Sequence, residues 1–212
     1  MIHNVPIVTL DEYLRLDEQS EWKHEFVDGE VIQMTGASTN HQLIVTNLIA
    51  AIFRHTNGRD CSTFPGIKVH VEILNSVYYP DVVVRCGKPL DNVHLITDPV
   101  LIVEVLSGST ALIDRREKRA AFRVTPSIRE YVIVDQYRRR VEMWRKRDAP
   151  TWTEHHALIG AGELTLNSLS CGQLVIPLQD IYAGTNTPSE GSLEVREDAE
   201  QYYFAHGIEA PR

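Results

Sequence analysis

Apolar side chains recur at helical spacing in three segments of the chain. The clearest is residues 39–55, whose apolar positions fall on one face and predict an amphipathic helix. Residues 9–16 predict a shorter helix, with Thr9 as its N-cap and Glu12 at the capping-box position. A third helix is predicted over residues 110–124, directly before a proline.

Alternating or continuous apolar runs predict strands between and after these helices. Asp28-Gly29 separates two β-prone runs and predicts a hairpin over residues 25–34. Residues 63–74 alternate apolar with polar side chains, which predicts one half-buried strand with an exposed Lys68. Two nearly continuous apolar runs, 78–86 and 99–107, fit central strands covered on both faces. Weaker patterns predict the remaining strands, which are two strands around Asp135-Gln136 within 129–147 and single strands over 152–159 and 173–178.

The order of these elements predicts one α/β domain over residues 1–183. From residue 184 the composition shifts to Thr, Pro, Ser, Gly and Glu, which predicts a polar, acidic tail over residues 184–212. The chain begins without a basic signal-peptide region, and no apolar run approaches the roughly 18 residues of a membrane span. Cys61, Cys86 and Cys171 form no CxxC pair, so we expect unpaired cysteines packed as small hydrophobes in the reducing cytoplasm.

The overall composition says little about function, but the distribution of charge along the chain is uneven. Hydrophobic residues make up 43% of the 212 residues, as in an ordinary globular protein, and the net charge is -8. An acidic total excludes a protein that coats nucleic acid by bulk charge. Residues 115–147, however, hold 12 basic and 4 acidic side chains, a net charge of +8.

This basic segment has two interpretations. It forms either a solvated helix face with an arginine-rich edge hairpin, or a local patch that binds phosphate groups. The candidate nucleic-acid contacts within it are Arg115, Arg119, Arg138, Arg139 and Arg140.

Two carboxylates interrupt strands that otherwise consist of Val, Ile and Leu. Asp81 follows Pro80 at the start of one predicted strand, and Glu104 lies inside the next. A buried carboxylate costs several kcal/mol unless it is paired or coordinates a cation. The pair therefore predicts either a site for Mg²⁺, which takes one or two carboxylates plus waters and phosphate oxygens, or ion pairs with the basic segment.

The ordered motifs resemble those of the PD-(D/E)XK nuclease superfamily and, in closer detail, the Uma-two-type restriction endonucleases. They are YLRL before HEFVDGEV, His41 at the start of a helix, YYPDVVV, LIVEVLSGST, Asp114 with Lys118, and REYVIVD, and they cover roughly residues 9–183. The resemblance implies a restriction-endonuclease-like fold, a central mixed sheet flanked by helices with extra C-terminal strands. It also implies a homodimer that acts on DNA.

The resemblance assigns roles residue by residue. Asp81 and Glu104 match the motif acids that bind Mg²⁺ or Mn²⁺. The superfamily places its lysine two residues after the second acid, where this chain has Leu106, and the matching candidate is Lys118 on the following helix. Asp81, Glu104 and Lys118 are thus the expected catalytic residues, with supporting positions at Glu25, His41 and Asp114.

Three functions remain open from the sequence. The first is a metal-dependent endodeoxyribonuclease that hydrolyses phosphodiester bonds. The second is a catalytically inactive nuclease fold that binds nucleic acid or another partner, an alternative that Leu106 favours. The third is a purely structural role for the buried carboxylates, with no nucleic-acid partner.

Overall fold

The computed structural model describes residues 8–34, 36–106 and 114–188. Its helices are α1 (Leu10–Gln19), α2 (Thr39–Thr56), α3 (Arg119–Val124), which continues a π-helical turn at Asp114–Lys118, and α4 (Leu178–Ile181). A 3-10 turn spans Glu72–Leu74. The strands are β1 (His24–Val27), β2 (Glu30–Gln33), β3 (Cys61–Pro65), β4 (Lys68–Val71), β5 (Ser76–Tyr78), β6 (Val82–Cys86), β7 (Leu95–Ile96), β8 (Leu101–Leu106), β9 (Glu130–Asp135), β10 (Arg140–Arg145), β11 (Glu154–Ile159), β12 (Glu163–Leu166) and β13 (Leu174–Pro177).

The local signals of the sequence place the first elements correctly. Thr9 caps α1, and its side chain and that of Glu12 form the predicted reciprocal capping box. Asp28 and Gly29 have φ angles of 49° and 85°, the positive values that a two-residue hairpin turn requires between β1 and β2.

The described strands form a mixed six-stranded sheet in the order β11-β10-β9-β8-β6-β3. In this sheet β8 and β9 are parallel, and the other neighbouring pairs are antiparallel. A five-stranded sheet has the order β2-β1-β5-β4-β7, and β12 pairs with β13. This is the predicted mixed α/β architecture.

The six-stranded sheet is covered on both faces, as the continuous apolar runs predicted. One face packs Val103 and Val132 against Ile44 and Leu48 of α2. The other packs a second cluster under α3 and the five-stranded sheet, and its members include Val69, Ile102, Leu106, Phe122 and Tyr131. Every residue of β8 and β9 is therefore buried.

The prediction of a single strand over residues 63–74 is wrong. The segment forms β3 and β4, which belong to different sheets, followed by the 3-10 turn. Gly66 turns the chain between them with a left-handed φ of 52°. Lys68 is buried rather than exposed, because it pairs with the buried carboxylate of Asp17 in α1.

The prediction of unpaired cysteines is wrong for two of the three. Cys61 and Cys86 are register partners on the antiparallel strands β3 and β6, and they form a disulfide. Cys171 is free and half-buried. The pairing depends on strand register, which a separation of 25 residues does not reveal.

Two further predictions concern the chain ends and the membrane. None of the helices described here is long and apolar enough to span a bilayer. Thr187, near the start of the predicted tail, is buried and donates a hydrogen bond to the Gln136 carbonyl oxygen at 2.8 Å. Residues 189–212 lie outside the described part of the chain, so the domain boundary at residue 183 stays a prediction.

Candidate active site

Asp81 and Glu104 lie beside each other at one end of the six-stranded sheet. The antiparallel register pairs Val82 with Val103, so the next positions along the two strands bring Asp81 opposite Glu104. The Val105 amide donates a hydrogen bond to Asp81 Oδ2 at 2.8 Å. Because side chains alternate along a strand, Glu104 faces the same side of β8 as Leu106, toward α3.

Lys118 reaches these carboxylates from the helix that follows β8. Its Nζ lies 3.1 Å from Glu104 Oε1 and 2.8 Å from Glu25 Oε1, and the residue is only 2% exposed. Glu25 also accepts a hydrogen bond from the Tyr79 amide at 3.0 Å. Burying a charged group without an opposite charge is costly, so the contacts of Lys118 with both glutamates offset the cost of burying all three groups.

His41 approaches the same end of the sheet from the first turn of α2. Ser38 caps this helix and accepts a hydrogen bond from the His41 amide at 3.2 Å. The His41 Nε2 lies 3.2 Å from Asp81 Oδ2, and its buried Nδ1 has no hydrogen-bond partner among the described residues. The imidazole ring and the Val105 amide therefore contact the same oxygen of Asp81.

The backbone at Leu106 is bound by the side chain of Gln136, the residue that follows β9. Gln136 Nε2 donates to the Leu106 carbonyl oxygen at 2.6 Å, and Gln136 Oε1 accepts from the Ser38 hydroxyl. The Leu106 side chain is buried in the apolar cluster under α3. This burial accounts for an apolar residue at position 106, where the resemblance expected a lysine. The ammonium group of Lys118 contacts Glu104 and Glu25 instead.

Comparison with known proteins decides the family of this chain. The model of the Uma2 family, described as "putative restriction endonuclease", matches residues 10–178. This chain belongs to the Uma2 family. Two uncharacterized proteins of Synechocystis sp. are similar to it: sll1609 is 35% identical over 72% of this chain and 88% of its own length, and slr1290 is 34% identical over 69% and 78%.

A solved structure shares the fold of this Uma2 protein. It is the crystal structure from Anabaena variabilis described as a "putative nuclease belonging to DUF820". The two superpose with a TM-score of 0.68 over 82% of this chain and 97% of the other, at 17% sequence identity. The fold is therefore restriction-endonuclease-like, and family and fold together support a nuclease function in general.

The protein groups of this Uma2 site can provide only part of the ligand shell of a magnesium ion. Among the described residues, no group of three or more His, Cys, Asp or Glu side chains is placed to hold a metal. Asp81 and Glu104 supply two carboxylates, which is the number that Mg²⁺ takes when waters and phosphate oxygens complete its shell. Asp81 is 20% exposed, so its carboxylate is within reach of solvent and substrate.

A second buried ion pair, which the sequence analysis missed, supports the segment that carries Asp81. Lys68 Nζ lies 2.8 Å from Asp17 Oδ2, and the Tyr79 hydroxyl donates to the same oxygen at 2.5 Å. Burial works to raise the pKa of Asp17, but hydrogen bonds from Lys68, Tyr79 and the His24 amide outweigh it and lower that pKa. Burial raises the pKa of Tyr79, and its bond to Asp17 adds to the effect.

The arginines predicted to bind nucleic acid differ in what they contact. Arg139 Nε donates to the Thr187 carbonyl oxygen at 3.3 Å, and Arg140 Nε lies 3.1 Å from Glu142 Oε1. The Arg119 guanidinium lies 5.2 Å from the centre of the Trp144 ring. Arg139 and Arg140 thus make contacts within the protein. The prediction of an edge hairpin is wrong, because β11 pairs with β10 and the hairpin of β9 and β10 lies inside the sheet.

The remaining predicted site residues are only partly described. Arg138 is half-buried in the turn between β9 and β10, at the same end of the sheet as Asp81. The side-chain predictions for Asp114 and Arg115 lie outside what the structure describes. The roles of all these residues in catalysis or binding stay predictions.

Proposed function

We propose that this Uma2 protein is a metal-dependent endonuclease that hydrolyses phosphodiester bonds of DNA. The observation that carries the proposal is the convergence of three predicted residues. Asp81 lies opposite Glu104 at the same end of the sheet, and Lys118 Nζ lies 3.1 Å from Glu104 Oε1. Two carboxylates and a lysine at one site are the groups that metal-assisted phosphodiester hydrolysis uses.

Asp81 and Glu104 would hold Mg²⁺ or Mn²⁺. The bound ion supplies an acidified water molecule and neutralises charge on the scissile phosphate. Lys118 brings a positive charge to the same site, where it stabilises the extra negative charge of the transition state. Glu25 holds the ammonium group of Lys118 from the other side, and His41 orients the Asp81 carboxylate.

The test of this function is cleavage of supercoiled plasmid DNA by the purified protein. We expect nicked or linear product with Mg²⁺ or Mn²⁺ and none with excess EDTA. Linear product formed without accumulation of nicked circles would indicate two sites acting together, as in the expected homodimer. Intact plasmid at every metal concentration would contradict the nuclease proposal.

The binding-only alternative rests on the ion pairs of Lys118. This lysine already neutralises Glu25 and Glu104, which is how a purely structural cluster would also look. That alternative predicts salt-sensitive DNA association without any turnover in the same preparation. Absence of association at low salt would contradict both functions.

A row of arginines on the helix of Lys118 is the best candidate for contact with the DNA backbone. Arg119 and Arg123 are four residues apart in α3 and share one helix face, and Arg116 lies in the π-helical turn directly before them. Lys118 and Phe122 face the protein interior instead, and Arg116 and Arg123 are exposed. The exposed Arg116 and Arg123, on the helix that carries Lys118, provide the local positive charge that binding to phosphates requires.

Replacing Arg116 or Arg123 with Gln will weaken DNA binding uniformly across sequences. The slope of log affinity against log salt is negative, and each lost phosphate contact lowers its magnitude by about 0.9. Fluorescence anisotropy with a labelled duplex, measured in EDTA at several salt concentrations, gives this slope. Arg54→Gln is the matched control, because Arg54 is exposed on α2, which covers the opposite face of the sheet. An equal loss in all three variants would contradict a contact specific to the helix of Lys118.

A further inference from the structure

A groove of about 310 Å³ lies next to the segment that carries Asp81. Its lining residues include Phe64, Tyr79 and His94, together with Gly66 and Lys68. His94 is exposed and Phe64 is half-buried, whereas Tyr79 is only 8% exposed and its ring lies under Lys23. Tyr79 is two residues before Asp81, and the Gly66 amide donates to the Asp81 carbonyl oxygen at 3.1 Å. The groove and the candidate active site therefore share the same stretch of backbone.

Two lysine ammonium groups lie close to the Tyr79 ring of this groove. Lys23 Nζ lies 5.0 Å from the centre of the Tyr79 ring and donates to the Gly66 carbonyl oxygen at 2.9 Å. A Cβ atom at Gly66 would lie 2.7 Å from this ammonium group, which would have to shift, and the left-handed φ of 52° also favours glycine here. Lys68 Nζ lies 5.9 Å from the same ring, with its charge balanced by Asp17.

Aromatic rings combined with cations are the features by which proteins hold unpaired nucleic-acid bases. Every base offers a π face that stacks on an aromatic ring, and the cations attract the phosphates on either side of it. The volume of the groove is near the lower end of the roughly 300–1,000 Å³ of ligand pockets, which suits one nucleotide.

We propose that this groove binds one unpaired base of the nucleic acid, adjacent to the phosphate at Asp81 and Glu104. The position of that phosphate rests on the proposed nuclease function, whereas binding of the base is measured without any cleavage. The protein then prefers single-stranded or locally unpaired DNA to a continuous duplex. Phe64 and His94 contribute the stacking, and Lys23, which is bonded to Gly66, contributes the positive charge beside the groove.

The preference is measured by anisotropy in EDTA, with a labelled single strand and the matching duplex as probes. We expect tighter binding of the single strand, and about tenfold weaker binding of it by Phe64→Ala, as the loss of one stacked base implies. His94→Ala is the second variant, because its position on an exposed loop spares the core. Phe53→Ala, on the exposed face of α2, is the control for loss of a surface ring and is expected to bind as wild type.

The outcomes separate this inference from the nuclease proposal. Equal affinity of the wild-type protein for single strand and duplex, or no loss in both Phe64→Ala and His94→Ala, overturns the groove as a base site. Plasmid cleavage in the same preparation would then leave the nuclease function standing. A single-strand preference that is lost in both variants, without any cleavage in Mg²⁺ or Mn²⁺, supports the groove and overturns the nuclease function.

Discussion

Asp81→Asn and Glu104→Gln will each lower DNA cleavage by on the order of a thousandfold, because a catalytic metal supplies several kcal/mol of transition-state stabilisation. Both substitutions keep the shape of the side chain and remove a negative charge. An asparagine at position 81 retains an oxygen that accepts the hydrogen bond of the Val105 amide. A glutamine at position 104 leaves Lys118 paired with Glu25. The loss is therefore expected in the chemistry rather than in the fold.

The measurement is the initial rate of plasmid cleavage, with Mn²⁺ affinity followed by calorimetry on the same samples. We expect weaker metal binding in both variants and unchanged thermal unfolding midpoints within a few degrees. Asp98→Asn is the control, because Asp98 pairs with Arg85 at the surface and lies outside the site. Cleavage that survives both substitutions would exclude Asp81 and Glu104 as the metal ligands.

The largest effect on stability is expected at Glu130, which is fully buried between β8 and β10. Its Oε1 accepts from Arg145 Nε at 2.6 Å, and its Oε2 accepts from the Ser168 amide at 2.9 Å. Glu130→Ala will lower the free energy of unfolding by about 3–5 kcal/mol, since it removes the fully buried partner of Arg145 and leaves only the partly exposed Glu154. Urea unfolding followed by circular dichroism gives this difference.

Two further variants test the cause of that loss. Glu154 also pairs with Arg145, at 3.1 Å, but it lies on the edge strand β11. Glu154→Gln is therefore expected to cost much less than Glu130→Ala. The double variant Glu130→Leu with Arg145→Met should recover most of the stability, because apolar residues replace both charges. A double variant as unstable as Glu130→Ala would point to lost backbone hydrogen bonds rather than an uncompensated charge.

The parts of the fold that sequence patterns predicted are those specified by nearby residues. The capping box of Thr9 and Glu12 and the Asp28-Gly29 turn involve neighbours in the chain, and both are confirmed. The alternation of residues 63–74 was misleading, because two strands of different sheets have the same period as one long strand. The left-handed Gly66 separates them.

The candidate site was predicted only where motifs carried it. Asp81, Glu104 and Lys118 come from the family resemblance, and the structure brings their side chains to one end of the sheet. Asp17 and Tyr79 had no such signal. The one available hint was a carboxylate on a short helix, and only the packing of α1 against the second sheet shows that it is buried beside Lys68.

By itself the sequence determined α1 with its capping box, the amphipathic helix α2, the buried central strands, the basic segment and the family of the chain. Only the tertiary structure decided the strand register, the Cys61–Cys86 pairing and the partners of Lys118 and Glu130. The physical reason is range. Caps, turns and periodicity depend on residues within a few positions of one another, whereas a buried charge takes its partner from whichever distant element packs against it.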